Sequence, residues 1–355
     1  MTDAQTPTRF DEDIRIALAG KHLPAWSPLG IGAVAVVLAV ALWALGIADS
    51  AIEALVVAVV LFLVFQTGWS LAVEGSRRAV DRLVRTSVNL AVVLAVIPLV
   101  AILITVIAKG FQSLSLEFIT GSMRNVSPRL EGGGVFHALI GTVEQVAMAT
   151  LISVPVGILI AVYLVEYGRG KLATSVSFFV DVMTGVPSIV AGLFVYTGLV
   201  LTLGMPRSGF AASVALVILM LPVVVRTTEE MLRLIPRDLR EASYALGAPK
   251  WITILKVVIP GAMSGIVTGV MLAIARVAGE TAPLLLTTFL TQSVNWNLFS
   301  GPQASLPTFI WDQISSGTEA SINRAWGGAL VLILFVALLY IAARITARLL
   351  APKTR

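Results

Sequence analysis

Eight runs of mostly apolar residues follow one another along the chain, and they constrain its fold more than any other feature. Each is close to the roughly 20 residues that an α-helix needs to cross the hydrocarbon core of a bilayer. Of the 355 residues, 57% are hydrophobic and only 13% are charged, which is more apolar than a soluble domain of this length. The sequence therefore predicts an all-α, polytopic membrane protein whose eight transmembrane helices face lipid or one another, at about 28–47, 53–73, 88–108, 143–165, 177–204, 210–226, 263–290 and 327–348.

The basic residues are distributed unevenly between the two sides that these spans define. If the N-terminal tail is cytoplasmic, most of the 25 lysines and arginines fall on the cytoplasmic side, as the positive-inside rule requires. An even number of spans then predicts cytoplasmic tails at both ends, residues 1–27 and 351–355. Because the charge is scattered over short loops, it gives no reason to expect a nucleic-acid partner.

The sequence lacks the residues that disulfides, metal sites and intramembrane catalysis require. The chain has no cysteine and only two histidines, which lie far apart in no ligand pattern, so we expect neither a disulfide nor a metal site. No histidine lies in a predicted span and Asp181 is isolated in its span, so we expect no catalytic residues of an intramembrane enzyme. We interpret Asp181 as a helix-pairing partner.

The sequence also lacks a nucleotide-binding loop. Such a loop needs Gly-x-x-x-x-Gly-Lys followed by Ser or Thr. The nearest stretch, Gly168-Arg-Gly-Lys171, has no first glycine at that spacing and is followed by Leu172. Any ATP must therefore be hydrolysed by a partner.

A charged, glycine-broken stretch lies between two strongly apolar runs and must leave the bilayer. Residues 241–246 favour a helix, Gly247 is suited to end it with a left-handed backbone, and Pro249 can begin a second short helix. We name residues 238–260 the coupling segment and predict that its two helices form a lever gripped by a soluble partner. The residues expected at that contact are Glu241, Ala242, Gly247, Pro249 and Pro260.

The second half of the coupling segment is predicted to have one apolar face. Trp251, Ile254, Leu255 and Val258 recur at helical spacing. The alternative to a lever is an ordinary cytoplasmic loop whose amphipathic turn lies on lipid headgroups.

One predicted span contains an arginine and a glutamate four residues apart. Charge in the membrane centre costs roughly 2.5–3.5 kcal/mol on insertion scales, and such residues usually face a cavity or a partner. Arg276 and Glu280 would share a helix face and pair, while Gly279 and Pro283 would loosen the helix. Arg276 could then offer a planar fork of donors to an anion. The alternative is a buried pair that only fixes helix register.

These motifs together resemble one family. The motifs are Arg276-x-x-Gly-Glu-Thr-Ala-Pro283, the stretch Glu241–Pro260, and Leu221-Pro-Val-Val-Val-Arg226-Thr-Thr-Glu-Glu230. They are similar to those of the PstA-type permease subunit of phosphate ABC importers. The resemblance extends from about residue 88 to the C-terminus. Ser243 stands where the usual pattern has a second alanine.

The resemblance implies a six-helix, type I ABC importer permease core over residues 88–350, in a bacterial cytoplasmic membrane. The implied partners are a second homologous permease subunit, two copies of a cytoplasmic ATPase that binds ATP and Mg, and an external phosphate-binding protein. This chain would carry no cofactor itself. The resemblance also places Arg226 and Arg276 on the path of inorganic phosphate, and we predict Glu280 and Thr281 on the same path. The alternative for Arg226 is a topological anchor, because an arginine at the membrane edge more often has that role.

Residues 28–87 have no counterpart in the family pattern. We interpret them as an additional transmembrane hairpin and a basic loop, Arg77–Arg85, which serve as scaffolding or contact a partner.

Two other functions remain open from the sequence. The same machine could carry another oxyanion, such as sulfate or molybdate. A secondary anion transporter would need no ATPase, and the coupling segment speaks against it.

Overall fold

The computed structural model describes residues 22–47 and 49–350, with side chains up to residue 346. The predicted cytoplasmic tails thus lie outside the described residues, except for residues 22–27. The chain divides into two compact units, Met1–Ile102 and Leu103–Arg355.

The first unit is a helical hairpin followed by the start of a long helix. Its helices are α1 (Ser27–Ala44), α2 (Ala51–Glu74) and the first part of α3 (Ser76–Ser113). Half of the buried residues of α1 and α2 are alanines, namely Ala35, Ala39, Ala54 and Ala58. Because alanine is small, the backbones of two helices can approach closely, as they do at helix interfaces in membranes. The predicted hairpin is confirmed.

The basic stretch after the hairpin is helical, although we expected a loop. Gly75, with φ +87°, is the one residue between α2 and α3. Its left-handed backbone turns the chain at once, and arginine is a good helix former. Arg77–Arg85 therefore forms the first turns of α3.

The second unit contains the end of α3 and eleven further helices among the residues described, three of them extended by π-helical turns. These are α4 (Leu116–Thr120), α5 (Phe136–Val162, extended over Tyr163–Tyr167), α6 (Gly170–Thr184), α7 (Ser188–Val195, extended over Tyr196–Thr202), α8 (Gly209–Arg233), α9 (Arg237–Ala245), α10 (Lys250–Thr253, extended over Ile254–Val258), α11 (Ile259–Ala278), α12 (Ala282–Thr287), α13 (Leu306–Ser316) and α14 (Glu319–Leu350).

Among the residues described, seven helices are long and apolar enough to cross a membrane, and a bent pair makes up to eight. The pair is α6 with the extended α7, which meet at 108°. We expected a single span over 177–204, but Gly185 and Pro187 interrupt it. Proline disfavours a helical backbone in the residue before it, so the helix stops there.

Helices α5 and α8 run parallel, so the bent pair between them must carry the chain from the end of α5 back to the level at which α5 began. Gln145 Nε2 of α5 donates to Gln303 Oε1 (3.1 Å), and the first residue of α8, Gly209, packs on the same oxygen. At the other ends, Arg240 beyond α8 binds Glu166 beyond α5. The chain between α5 and α8 thus returns from one end to the other, which supports eight crossings.

Helix α8 is the most enclosed element of the second unit. Met220 and Val224 are fully buried, and its neighbours approach it through glycines. A Cβ added at Gly157 of α5 would lie 2.7 Å from Val224 Cγ1, and one at Gly269 of α11 would lie 2.5 Å from Thr227 Oγ1. These distances leave no room for a side chain, so small residues fix the packing of α5 and α11 on α8.

Replacing Gly192 with alanine is expected to destabilise the second unit. The added Cβ would lie 2.5 Å from Pro283 Cα, so α7 and α12 would have to separate, at a cost of about 1–3 kcal/mol for overpacking. Thermal unfolding of the purified protein measures the loss. Gly198→Ala is the matched control, because nothing lies within 4 Å of its added Cβ; equal unfolding temperatures for the two variants would contradict the packing.

Candidate substrate path and coupling segment

The helix that carries Arg276 breaks directly after it. The backbone N–H groups of Gly279 and Glu280 donate to the carbonyls of Arg276 and Val277 (3.2 Å each), the tight pattern of a helix end. A new short helix, α12, begins at residue 282 with Pro283 in its first turn. The loosening predicted at Gly279 and Pro283 is therefore confirmed, whereas the continuous span expected over 263–290 is interrupted.

The predicted ion pair between Arg276 and Glu280 does not form. The prediction assumed a continuous helix, in which residues four apart share a face, but Glu280 lies beyond the end of α11. None of the salt bridges among the described residues joins the two. Arg276 is exposed on this chain, and Glu280 and Thr281 are half-buried. The Arg276 guanidinium is thus left facing out of the chain beside a helix break.

Arg226 has a different environment. Its Nε and Nη2 donate to Asp181 Oδ1 (3.0 and 2.5 Å), and its Nη1 donates to Glu229 Oε2 (2.5 Å). Nη2 also donates to the Ser177 carbonyl and hydroxyl (2.9 and 2.8 Å). Arg233 donates to the other oxygen of Glu229. Arg226, Glu229 and Arg233 are thus linked along one face of α8.

This network joins α6 to α8 and balances two guanidinium groups with two carboxylates. Asp181 contributes across the helix interface, so its predicted role as a helix-pairing partner is confirmed. Because most donors of Arg226 are already used, an anion could bind both arms of its guanidinium fork only by displacing a carboxylate. Of the two arginines predicted to lie on the substrate path, Arg226 therefore lies in a neutral network and Arg276 faces out of the chain.

The coupling segment consists of two short helices, as predicted. Gly247 has φ +79° and follows α9, and Pro249 precedes α10. The hydroxyls of Ser243 and Thr253 lie 2.8 Å apart and join the two helices. Glu241, Ala242, Gly247 and Pro249 are all exposed on this chain, and Pro260 at the start of α11 is half-buried.

The prediction that the second half of the coupling segment has a single apolar face is wrong. Ile254 and Val258 are buried at 3% and 0% exposure, whereas Trp251 and Leu255 are 59% and 57% exposed. Residues four apart still share a side of the segment, but the pair Trp251 and Leu255 lies on a different side from the pair Ile254 and Val258. The segment thus has one apolar side packed on the protein and another facing outward. Leu246, 89% exposed, adds to the apolar surface of the segment.

Both arms of the coupling segment are attached to the end of α5. Arg240 on α9 donates from Nε and Nη2 to Glu166 Oε1 (3.0 and 2.8 Å), with both side chains largely enclosed. It also donates to the Leu232 and Ile235 carbonyls at the end of α8. Lys250 on α10 donates to the Glu166 carbonyl. The coupling segment is thus hydrogen-bonded to the ends of both α5 and α8.

The pairing of Arg240 with Glu166 could not be predicted from the sequence. The only signal was a charged residue at each helix end, because the two lie 74 positions apart and one sequence does not reveal such a pair. Among the residues described, no group of three His, Cys, Asp or Glu side chains could hold a metal ion.

The chain resembles known proteins over most of its length. Residues 153–355 match the family described as binding-protein-dependent transport system inner membrane component. Over 268 residues, 75% of this chain and 88% of the relative, it is 50% identical to the phosphate transport system permease protein PstA 1 of Mycobacterium tuberculosis (strain CDC 1551 / Oshkosh). Over 270 residues, 76% of this chain and 95% of the relative, it is 42% identical to the phosphate transport system permease protein PstA of Pasteurella multocida (strain Pm70).

A solved structure has the same fold. A chain of the bacterial alginate ABC transporter, in complex with an alginate pentasaccharide-bound periplasmic protein, aligns with a TM-score of 0.55 at 14% identity, covering 76% of this chain and 94% of that chain. Three findings agree on one family. They are the multi-pass architecture, the family match over more than half of the chain, and the identity to relatives of which 88% and 95% are covered. The chain belongs to the binding-protein-dependent transport system inner membrane components, and within them to the PstA-type permeases.

Proposed function

We propose that this chain is a permease subunit of an ATP-driven importer of inorganic phosphate and forms half of the translocation path. The observation that carries the proposal is Arg276, a guanidinium that faces out of the chain at a helix break inside an apolar segment. Such a group is costly in hydrocarbon unless it meets a cavity or a partner. A planar fork of donors suits the oxygens of a phosphate, and the chain's relatives are named as phosphate permeases.

Arg276 binds the passing anion, with Glu280 and Thr281 at the adjacent helix break. Glu280 holds the Arg276 fork between transport events, when the break rearranges. Arg226 joins the path if Asp181 is displaced from it, and otherwise anchors α6 to α8. The second permease subunit supplies the facing wall of the path.

The coupling segment receives the stroke of a separate ATPase. Its support is the exposed contact surface of Glu241, Ala242, Gly247 and Pro249 and the attachment of both arms to Glu166. A push on this surface is transmitted through Arg240 and Lys250 to α5 and α8, which pack against the helix of Arg276. Pro260 lies where the segment joins that helix.

The assembled importer contains this chain, a second homologous permease subunit, two copies of a cytoplasmic ATPase that binds ATP and Mg, and an external phosphate-binding protein. The coupling segment lies on the cytoplasmic side of a bacterial inner membrane, and so do both termini, because eight crossings return the chain to its starting side.

Purification of the full-length protein from its own membranes in mild detergent tests the proposal. Recovery of an ATPase and a second permease is expected, and recovery of the chain alone would favour a secondary transporter. Uptake assays with sulfate and molybdate as competitors test the substrate: neither should reduce phosphate uptake at equal concentration, whereas full competition by either would identify the importer of that oxyanion instead.

A further inference from the structure

The first unit contains a cavity of about 670 Å³, outside the residues that match the family. A volume of this order can enclose a small ligand. Its walls come from the chain before and at the start of α1, from α2 and from one face of α3, and they are formed by His22, Pro28, Phe62, Gln66, Glu74, Arg78, Asp81, Arg82, Arg85, Thr86, Asn89, Leu90 and Val93. The lining residues of α3 recur every three or four positions, so a single helix face lines the cavity.

One end of the cavity is organised by Glu74. Its carboxylate, 1% exposed, accepts hydrogen bonds from Leu23 N (2.8 Å), Ser70 Oγ (2.6 Å) and Arg82 Nη2 (2.7 and 2.8 Å). These bonds tie the segment before α1 to α2 and α3. Because Glu74 is enclosed and neutralised, it contributes little negative potential to the cavity.

Two further arginines line the same end. Arg78 Nη1 lies 3.3 Å from His22 Nδ1. Arg85 is 3.4 Å from Asp81, in an ion pair whose side chains are 74% and 72% exposed, and such surface pairs are weak. Among the described residues that line this end, there are thus three guanidinium groups, including that of Arg82, and two carboxylates, and guanidinium forks bind phosphate oxygens in pairs.

The other end of the cavity is apolar. Phe62, Leu90 and Val93 line it, and Leu90 and Val93 lie roughly one to four helical turns further along α3 than the arginines. Neutral polar side chains lie between the ends, where Thr86 Oγ1 donates to buried Gln66 Oε1 (3.5 Å). The cavity is thus graded from cationic through polar to apolar along α3.

We propose that this cavity binds one anionic phospholipid, with its phosphate at the arginine end and an acyl chain along the apolar end. Basic pockets between transmembrane helices recognise lipid headgroups in this way. Free inorganic phosphate offers the same oxygens to the arginines but leaves the apolar end empty. A single bound lipid would join the hairpin to α3 and would assign residues 28–87 a role as the lipid-binding part of the chain.

Native mass spectrometry of the full-length protein, titrated with phosphatidylglycerol, tests the proposal. The first phosphatidylglycerol is expected to bind more tightly than phosphatidylcholine. Arg85→Gln should weaken it by about fivefold, the effect of one basic residue near an anionic lipid. Arg77→Gln is the matched control, because Arg77 is also on the first turns of α3 but does not line the cavity, and it should leave the dissociation constant unchanged.

A second variant tests the acyl chain without changing any charge. Leu90→Trp should fill the apolar end and weaken phosphatidylglycerol binding at least as much as Arg85→Gln does. Equal affinity for the two lipids, or equal loss from Arg77→Gln and Arg85→Gln, would overturn the proposal in favour of general surface attraction. Displacement of phosphatidylglycerol by millimolar inorganic phosphate, together with normal binding by Leu90→Trp, would overturn it in favour of a free-anion site.

Discussion

Replacing Arg276 with glutamine is expected to lower phosphate uptake by about 100-fold or more while the protein still inserts and assembles. A hydrogen bond to a charged group contributes about 1.5–3 kcal/mol, and a guanidinium fork can make two to one phosphate. Glutamine keeps a polar side chain of similar length but loses the charge and the fork. Because the Arg276 side chain makes no hydrogen bond or ion pair among the described residues, its loss should leave the fold of the chain intact. Uptake of radiolabelled phosphate by cells measures the effect, and purification of the complex measures assembly.

Two further variants sharpen this experiment. Arg276→Lys keeps the charge without the planar fork and should retain partial uptake. Thr268→Val removes another exposed polar group from the same helix, two turns away, and should transport normally. Wild-type uptake by Arg276→Gln would reduce Arg276 to a structural residue.

Replacing Gly247 with valine is expected to uncouple uptake from ATP hydrolysis, with uptake falling to less than about a tenth. Gly247 has φ +79° in open space, where a β-branched residue is strained by about 1–3 kcal/mol. The strain alters the angle between α9 and α10, and the new side chain obstructs the surface that the ATPase contacts. Parallel assays of phosphate uptake and ATP hydrolysis by the assembled complex separate uncoupling from loss of protein. Glu241→Trp, which also obstructs that surface, should have the same effect.

Gly204→Val is the matched control for Gly247→Val. Gly204 has φ +66° and also has nothing within 4 Å of an added Cβ, so the backbone strain is the same, but it lies outside the coupling segment. It should couple normally. If both variants lose coupling equally, backbone strain alone explains the result and the lever is excluded.

The sequence predicted the transmembrane helices because about 20 apolar residues are enough to identify a span. It did not predict the 108° bend between α6 and α7. That run is mostly apolar, and hydropathy does not distinguish a straight helix from a broken one. Gly185-Val-Pro187 was the available signal, since glycine and proline together mark turns.

The region around Arg276 shows where local pattern reasoning fails. Gly279 and Pro283 correctly predicted a weak point in the helix, but the pairing of Arg276 with Glu280 assumed that the helix continued through it. The two predictions were incompatible. The helix breaks because proline has no backbone N–H and cannot continue the helical hydrogen bonds.

The contacts that connect the helices could not be predicted. Arg226 and Asp181 lie 45 positions apart, and Arg240 and Glu166 lie 74 positions apart. Their residue types follow no local spacing, so only the packed structure brings them together. The coupling segment was predicted as a surface, whereas its attachment to α5 and α8 emerged from the structure.

The energy source of transport tests the central claim most directly. Radiolabelled phosphate uptake should be measured in proteoliposomes that contain this chain with its co-purified partners and the phosphate-binding protein, with ion gradients collapsed. We predict accumulation that requires ATP and Mg on the side of the coupling segment. Uptake that proceeds without ATP, driven by a proton or sodium gradient, would contradict the account.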